Sequence, residues 1–300
     1  MSRSSFIFIV TAFLTLPLAE IHHPYFSVVE AVFCLALIAS FGIAHGAIDN
    51  HLYGFKNLAG NLKFIGVYLL VGAGFGALWY FQASIAFTVF MIISAYHFGQ
   101  SQLVEELKYD SWWNRGVYTL WGFWLLASFL HLNRLELFEL SAQDFEVLPV
   151  FRWMLENSSV LFYTGSGSLF ASLLYSRYKS LLTWQSLWIE FYQIAIILVV
   201  FYFSSSLWGF TLYFVILHSG RVLQQEYQYL LDRQKVSRLF DFVKLLSPFT
   251  LVSIFGLAFI VAGFAFFQIN YSYSLLALVF ISCLTVPHSW VMDRFYQERN

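Results

Sequence analysis

The stretch that decides the fold is LKFIGVYLLVGAGFGALWYFQASIAFTVFMIISAYHFGQ, residues 62–100. Lys63 is its only formally charged residue, and Gln82 separates two apolar runs at 62–81 and 83–100. A helix needs about 20 apolar residues to cross the hydrocarbon core of a bilayer. We therefore interpret this stretch as two successive membrane helices.

The composition of the whole chain agrees with this interpretation. Of its 300 residues, 59% are hydrophobic and only 11% are charged, whereas soluble domains carry about 25% charged residues. The 35 Phe, 18 Tyr and 10 Trp side chains would leave large apolar patches on a soluble domain, and lipid is the natural solvent for such a surface. A net charge of −1 argues against a nucleic-acid partner, which requires a basic face.

Hydropathy predicts an all-α bundle of ten membrane helices. The predicted spans are 5–19, 26–46, 62–81, 83–100, 115–131, 158–176, 182–204, 206–223, 246–268 and 271–292. Because no Pro/Gly/Ser linker and no internal repeat divides the sequence, residues 1–300 are expected to form a single integral membrane domain.

The distribution of Lys and Arg predicts the orientation. With the N-terminus in the cytoplasm and ten crossings, all but two of the 16 basic residues fall on the cytoplasmic side. The exceptions are Arg134 and Arg152, in a loop that also carries acidic side chains. The positive-inside rule therefore places both termini in the cytoplasm.

Four histidines lie at one depth in this topology. His45, His97, His218 and His288 each fall near the end of an even-numbered helix, in the inner third of the bilayer. Ionisable residues inside a membrane are costly and face the bundle interior, and neutral imidazole binds iron, copper, zinc and nickel. The pattern predicts a metal held inside the bundle, although an ion pathway would use the same residues.

Local sequence around the histidines suggests how they are held. Small residues surround His45 and permit close helix approach, and Asp49, one turn later, is expected to accept a hydrogen bond from the second nitrogen of that imidazole. The helix that carries His97 is expected to end near Gly99. Because proline removes a backbone donor, Pro287 is expected to break its helix locally.

Four motifs resemble the Brp/Blh family of membrane β-carotene 15,15′-dioxygenases. They are GIAHGAID (42–49), SAYHFGQ (94–100), LHSGR (217–221) and TVPH (285–288). They occur in the family's order across most of the chain. The resemblance implies a multi-spanning enzyme that uses histidine-bound iron(II) and O2 to cleave β-carotene at its central double bond, giving two molecules of retinal.

The resemblance also implies roles for individual residues. His45, His97 and His218 match proposed iron ligands of the family. Apart from the resemblance, Asp49 and Arg221 are predicted to support the metal ligands without binding the metal themselves.

Two positions depart from the family's pattern. The family commonly has a second histidine four residues after the position of His218, where this chain has Val222, and it usually has proline at the position of Ala44. Either His288 completes the metal site, or the metal keeps one more open position, or the activity is lost or changed.

The implied substrate suits a membrane enzyme. A long apolar polyene partitions into the bilayer and would enter sideways between helices. Aromatic residues are candidates to line its tunnel, namely Tyr96, Phe98, Trp121, Trp124 and Tyr213, and the sequence does not decide which of them do. The expected location is the cytoplasmic membrane of a bacterium or archaeon, with a retinal-binding opsin as acceptor of the product.

Three other functions remain open from the sequence. One is a structural membrane protein without chemistry, which would leave the shared depth of the four histidines unexplained. A transporter or proton-coupled carrier would use the polar residues as a relay, namely His45, Asp49, His97, His218, Arg221 and Glu226. The absence of two sequence-related halves counts against this class. A membrane haem protein with paired histidine ligands is the third alternative, and it would show a Soret band.

Overall fold

The computed structural model describes residues 3–15, 24–42, 46, 48–52, 58–108, 111–266 and 272–299. Within these ranges every regular element is a helix. The α-helices are α1 (Arg3–Thr15), α2 (Pro24–Leu37), α3 (Asp49–Leu52), α4 (Leu58–Phe81), α5 (Ala83–Leu103), α6 (Trp112–Leu132), α7 (Arg134–Ser141), α8 (Pro149–Glu156), α9 (Ser158–Tyr178), α10 (Trp184–Phe203), α11 (Ser206–Thr211), α12 (Gly220–Asp232), α13 (Leu239–Phe266) and α14 (Tyr273–Arg299). Two π-helices, Ile38–Gly42 and Leu212–Ser219, and a 3₁₀-helix, Ala142–Asp144, complete the set.

The all-α prediction is confirmed, and each predicted span coincides with helical structure among the described residues. Within the part of the chain that the structure describes, five helical segments are long and apolar enough to cross a membrane: Ala59–Phe81, Ala83–Leu103, Trp184–Phe203, Leu239–Gly256 and Leu275–Arg299. The count of ten crossings and the cytoplasmic position of both termini stay predictions.

Apolar side chains on the outer helices face away from the bundle. On α4, Leu69, Leu70 and Phe81 are exposed, as are Phe255 and Phe259 on α13. Exposed apolar surface on this scale is unfavourable in water but suits contact with lipid acyl chains. These helices are therefore compatible with a membrane protein.

Helices α5 and α6 cross at backbone contact. A Cβ atom added to Gly99 would lie 1.8 Å from the carbonyl oxygen of Tyr118, and one added to Gly122 would lie 1.8 Å from that of Ala95. The prediction that the helix ends near Gly99 is wrong, since α5 continues to Leu103. Glycine occurs here because only a residue without Cβ lets the two backbones meet.

The expected break at Pro287 is also wrong, since α14 continues through it. Proline cannot donate to the carbonyl of Cys283, one turn earlier, and Gly72 of α4 lies so close that its added Cβ would be 3.0 Å from that oxygen. The Tyr68 hydroxyl donates to the next carbonyl, that of Leu284, at 3.3 Å. The neighbouring helix thus supports the backbone that the proline disturbs.

Candidate metal centre

Three of the four predicted histidines meet inside the bundle. His97 of α5, His218 of the second π-helix and His288 of α14 are 1%, 2% and 4% exposed. The ring centroid of His97 lies 4.9 Å from that of His218 and 5.0 Å from that of His288, and both contacts are edge-on at 83°. We call these three residues the histidine cluster, with His97 between the other two.

The fourth predicted ligand, His45, lies outside the described residues. Gly46, which follows it in the chain, lies beside the cluster, because an added Cβ there would be 3.4 Å from Nδ1 of His288. The small residue allows the backbone to approach the imidazole, as the sequence predicted for this motif.

Ser101 contacts His218 through Nδ1 of the ring. The Ser101 hydroxyl donates to the carbonyl of Phe98 at 2.9 Å, and its oxygen lies 3.0 Å from Nδ1 of His218. This arrangement suits the tautomer that has its proton on Nδ1 and its lone pair on Nε2.

Asp49 holds His288 in the same way. Both carboxylate oxygens lie 3.0 Å from Nδ1 of His288, and the carboxylate is buried. An ionised carboxylate only accepts, so Nδ1 carries the proton and Nε2 the lone pair. The sequence predicted Asp49 as a partner of His45; the structure shows it on His288, which the spacing along the chain did not indicate.

A π-helix presents His218 to the cluster. Residues Leu212–Ser219 adopt this rare form, which occurs frequently at functional sites. The Phe214 ring stacks on His218 at 5.5 Å, and Phe98 meets it edge-on at 4.8 Å. Gly42, the last residue of the first π-helix, makes room for Phe214, because an added Cβ would lie 2.6 Å from that ring. No pattern in the sequence predicted either π-helix.

Arg221 lies in a polar network beside the cluster. Its guanidinium donates to the carbonyl of Gln102 at 2.6 Å and to the Gln193 side chain at 3.2 Å. The Gln102 amide donates in turn to the carboxylate of Glu190 at 2.8 Å. Arg221 thus supports the backbone at Gln102, the residue that follows Ser101, which in turn contacts His218. Gln102 and Glu190 were not predicted as site residues, although a carboxylate within an apolar span was an available signal in the sequence.

The aromatic residues separate into two groups. Tyr96 lines a cavity of about 360 Å³ between α4, α5 and α14. Trp121, Trp124 and Tyr213 are instead buried in the core and do not line this cavity. Their place along a substrate tunnel stays a prediction. Phe98 packs against the cluster itself.

The donor chemistry of the cluster fits a cation such as iron(II), because neutral buried imidazoles with Nε2 lone pairs are its common ligands. Within the described ranges, no group of three or more His, Cys, Asp or Glu side chains is already arranged to hold a metal ion. Val222, where the family commonly has histidine, is fully buried among apolar side chains, and it supplies no donor. The ligand set therefore stays a prediction that includes His45.

A comparison with protein families gives a match over most of the chain. A family model described as beta-carotene 15,15′-dioxygenase matches residues 36–296, a range that contains the histidine cluster, Asp49 and the cavity. No curated protein and no solved structure matches the chain. Since the family match covers most of the sequence, the chain belongs to the β-carotene 15,15′-dioxygenase family.

Proposed function

We propose that this protein is an iron(II)- and O2-dependent membrane enzyme that cleaves β-carotene at its central 15,15′ double bond to give two retinal molecules. The observation that carries the proposal is the meeting of three buried imidazoles from distant segments, two of them anchored through Nδ1. Family membership supports the substrate.

His97, His218 and His288, together with His45, would hold the iron. In this proposal His288 supplies the donor that Val222 cannot; its ring lies beside that of His97, which supports this role. When bound, iron(II) supplies the redox centre that lets O2 react with a hydrocarbon.

The protein's own residues position the reactants. The cluster is shielded from water by its burial, and the hydrogen bonds of Ser101 and Asp49 fix the orientation of two rings. In the reaction, the central C=C bond and the O–O bond break, and each carbon receives one oxygen atom. Because this balance requires no proton and no external electron, the cluster needs no proton donor.

Retinal formation from β-carotene is the direct test. Purified protein in detergent, supplied with iron(II), O2 and β-carotene, is expected to form two retinals for each carotene and each O2 consumed. Argon in place of O2, or a chelator in place of iron, should stop the reaction. Absence of retinal from a well-folded, iron-loaded sample would contradict the proposal.

Asp49→Asn is expected to weaken iron binding about 10–100-fold, the usual cost of losing an outer partner of a ligating histidine. The amide keeps the size of the carboxylate, but it no longer holds His288 with a charge-assisted hydrogen bond. Iron content after dialysis against graded chelator measures the effect. Asp232→Asn, the same change at an exposed residue of α12, is the control; equal loss in both variants would show that Asp49 has no special role.

The proposal also covers the acceptor of the product and the location of the enzyme. Retinal is apolar and would remain in the bilayer after cleavage. We therefore propose a retinal-binding opsin as its acceptor and the cytoplasmic membrane as the location.

A further inference from the structure

The cavity between α4, α5 and α14 opens at an apolar face of the bundle. Its volume of about 360 Å³ lies within the range of small-molecule sites, about 300–1,000 Å³. Val67, Val71 and Trp290 line it and are themselves exposed. In a membrane these residues contact acyl chains, so a lipid-soluble molecule reaches the cavity without passing through water.

The packing of α4 against α14 accounts for the position of the cavity. At Gly72 the two helices are in close contact, because an added Cβ would lie 3.0 Å from the carbonyl oxygen of Cys283, and one added to Gly76 would lie 3.5 Å from its Sγ. In the opposite direction along the two helices, Val71 and Val286 come next and line the cavity. The cavity therefore begins where the helices separate beyond a crossing that small residues make tight.

The inner wall of the cavity consists of residues next to the histidine cluster. Tyr96 precedes His97 in α5, and Pro287 and Ser289 flank His288 in α14. A molecule in the cavity is therefore separated from the cluster only by the two helices that carry these histidines.

Polar groups at the wall of the cavity already have partners. The Tyr96 hydroxyl and the Gln100 amide donate to Asp293 at 2.6 Å and 2.8 Å, and the Tyr68 hydroxyl donates to the carbonyl of Leu284 at 3.3 Å. Burying a donor that has no acceptor costs free energy. A hydrocarbon in the cavity avoids this cost for these three donors, so the wall suits a ligand without polar groups.

Aromatic side chains form much of the remaining wall, namely Phe64, Tyr68, Tyr96 and Trp290. Aromatic rings bury a large apolar area and attract other π-systems beyond that burial. A conjugated hydrocarbon gains both contributions from such a wall, whereas a saturated acyl chain gains only the first. The composition of the wall therefore favours a conjugated ligand over the lipid that surrounds the protein.

We propose that this cavity binds one end of the carotenoid, its hydrocarbon ring with the adjoining conjugated double bonds, and that the substrate enters from the bilayer between α4 and α14. The inference rests on the proposed function and adds the place at which the substrate is held. From the cavity, the remaining polyene extends past the inner wall toward the histidine cluster.

Binding to metal-free protein tests the inference without turnover. Protein in lipid nanodiscs, treated with chelator, is titrated with β-carotene, and induced circular dichroism of the polyene distinguishes bound from lipid-dissolved carotenoid. The signal is expected to saturate at equal amounts of carotenoid and protein. Retinal, which carries the same ring and half of the polyene, should displace the carotenoid. A parent protein without a saturable signal, or a signal that retinal leaves unchanged, would overturn the inference.

The first variant fills the cavity. Val71→Trp places a large ring at the mouth, and it should weaken the binding of β-carotene at least about tenfold. Leu70→Trp is the matched control, since Leu70 is the next residue, is 71% exposed and does not line the cavity. Equal affinity of these two variants would overturn the site.

The second variant removes part of the wall and adds no bulk. Trp290→Ala takes away an aromatic side chain that lines the cavity, and the affinity for β-carotene should fall about tenfold or more. Trp188→Ala is its control, because Trp188 is a similarly exposed tryptophan of α10 outside the cavity lining. Thermal unfolding midpoints confirm that both proteins are folded. Parent-like binding by the folded Trp290→Ala protein would contradict the proposal.

These results are separable from a failure of the proposed function. If β-carotene binds in the cavity but iron-loaded protein forms no retinal, the proposed function fails and the binding site stands. If retinal forms and the two cavity variants bind β-carotene as their controls do, the binding site fails and the proposed function stands.

Discussion

His97→Ala is expected to abolish retinal formation and to reduce bound iron. Removing a residue that only hydrogen-bonds a ligating histidine lowers metal affinity about 10–100-fold, and the loss in His97→Ala should be larger. The reason is geometric: the His97 ring lies between those of His218 and His288, and these two are held in place from outside by Ser101 and Asp49. Removing the central imidazole leaves the outer two oriented but without the donor between them. Metal analysis of the purified variant and chromatography of retinal measure both effects.

His131→Ala is the control for that variant. His131 stacks on Phe162 at 5.0 Å near the end of α6 and is not part of the histidine cluster. The same substitution there should leave iron content and retinal yield close to those of the parent. Full iron occupancy in a well-inserted His97→Ala protein would contradict the assignment of His97, whatever its activity.

Gly99→Ala is expected to prevent folding. The added Cβ would lie 1.8 Å from the carbonyl oxygen of Tyr118 and 2.9 Å from its Cα. Backbone atoms cannot move aside as a flexible side chain does, so α5 and α6 must separate. We expect the free energy of unfolding to fall by an amount at or beyond the upper end of the range for overpacking, about 1–3 kcal/mol. His97, two residues away, should be displaced as well.

Gly116→Ala provides the matched comparison, because a Cβ at Gly116 of α6 meets nothing within 4 Å. In the interior of a helix, alanine is favoured over glycine by about 1 kcal/mol, so this variant should be at least as stable as the parent. The amount of monodisperse protein after detergent extraction, and its thermal unfolding midpoint, report the difference. Similar behaviour of the two variants would rule out a tight crossing at Gly99.

Composition and periodicity were sufficient to predict the helical fold and to recognise the histidines that lie within apolar segments. Long apolar runs such as 62–81 and 83–100 have few folded forms open to them, because every backbone polar group in lipid must be satisfied within the segment. The rarity of ionisable side chains in such runs made His97, His218 and His288 recognisable, since their cost selects for function. Motif order alone also led to the family that the comparison shows.

The partners of these residues depended on tertiary structure. Asp49 supports His288, which is remote in the chain, because α3 packs against α14; helical spacing relates a residue only to its own neighbours. Pro287 and Gly99 were misread for the same reason, since α4 supports the backbone around the proline and α6 fills the space that the glycine leaves.

The sequence by itself determined an all-helical, lipid-compatible chain and singled out the histidines inside its apolar segments, because burial cost and hydrogen-bond satisfaction act locally along each segment. Only the tertiary structure decided which rings meet, which residues hold His218 and His288 through Nδ1, and where the cavity between α4, α5 and α14 lies. Those features arise from contacts between helices far apart in the chain, and these contacts depend on how side chains pack at each crossing.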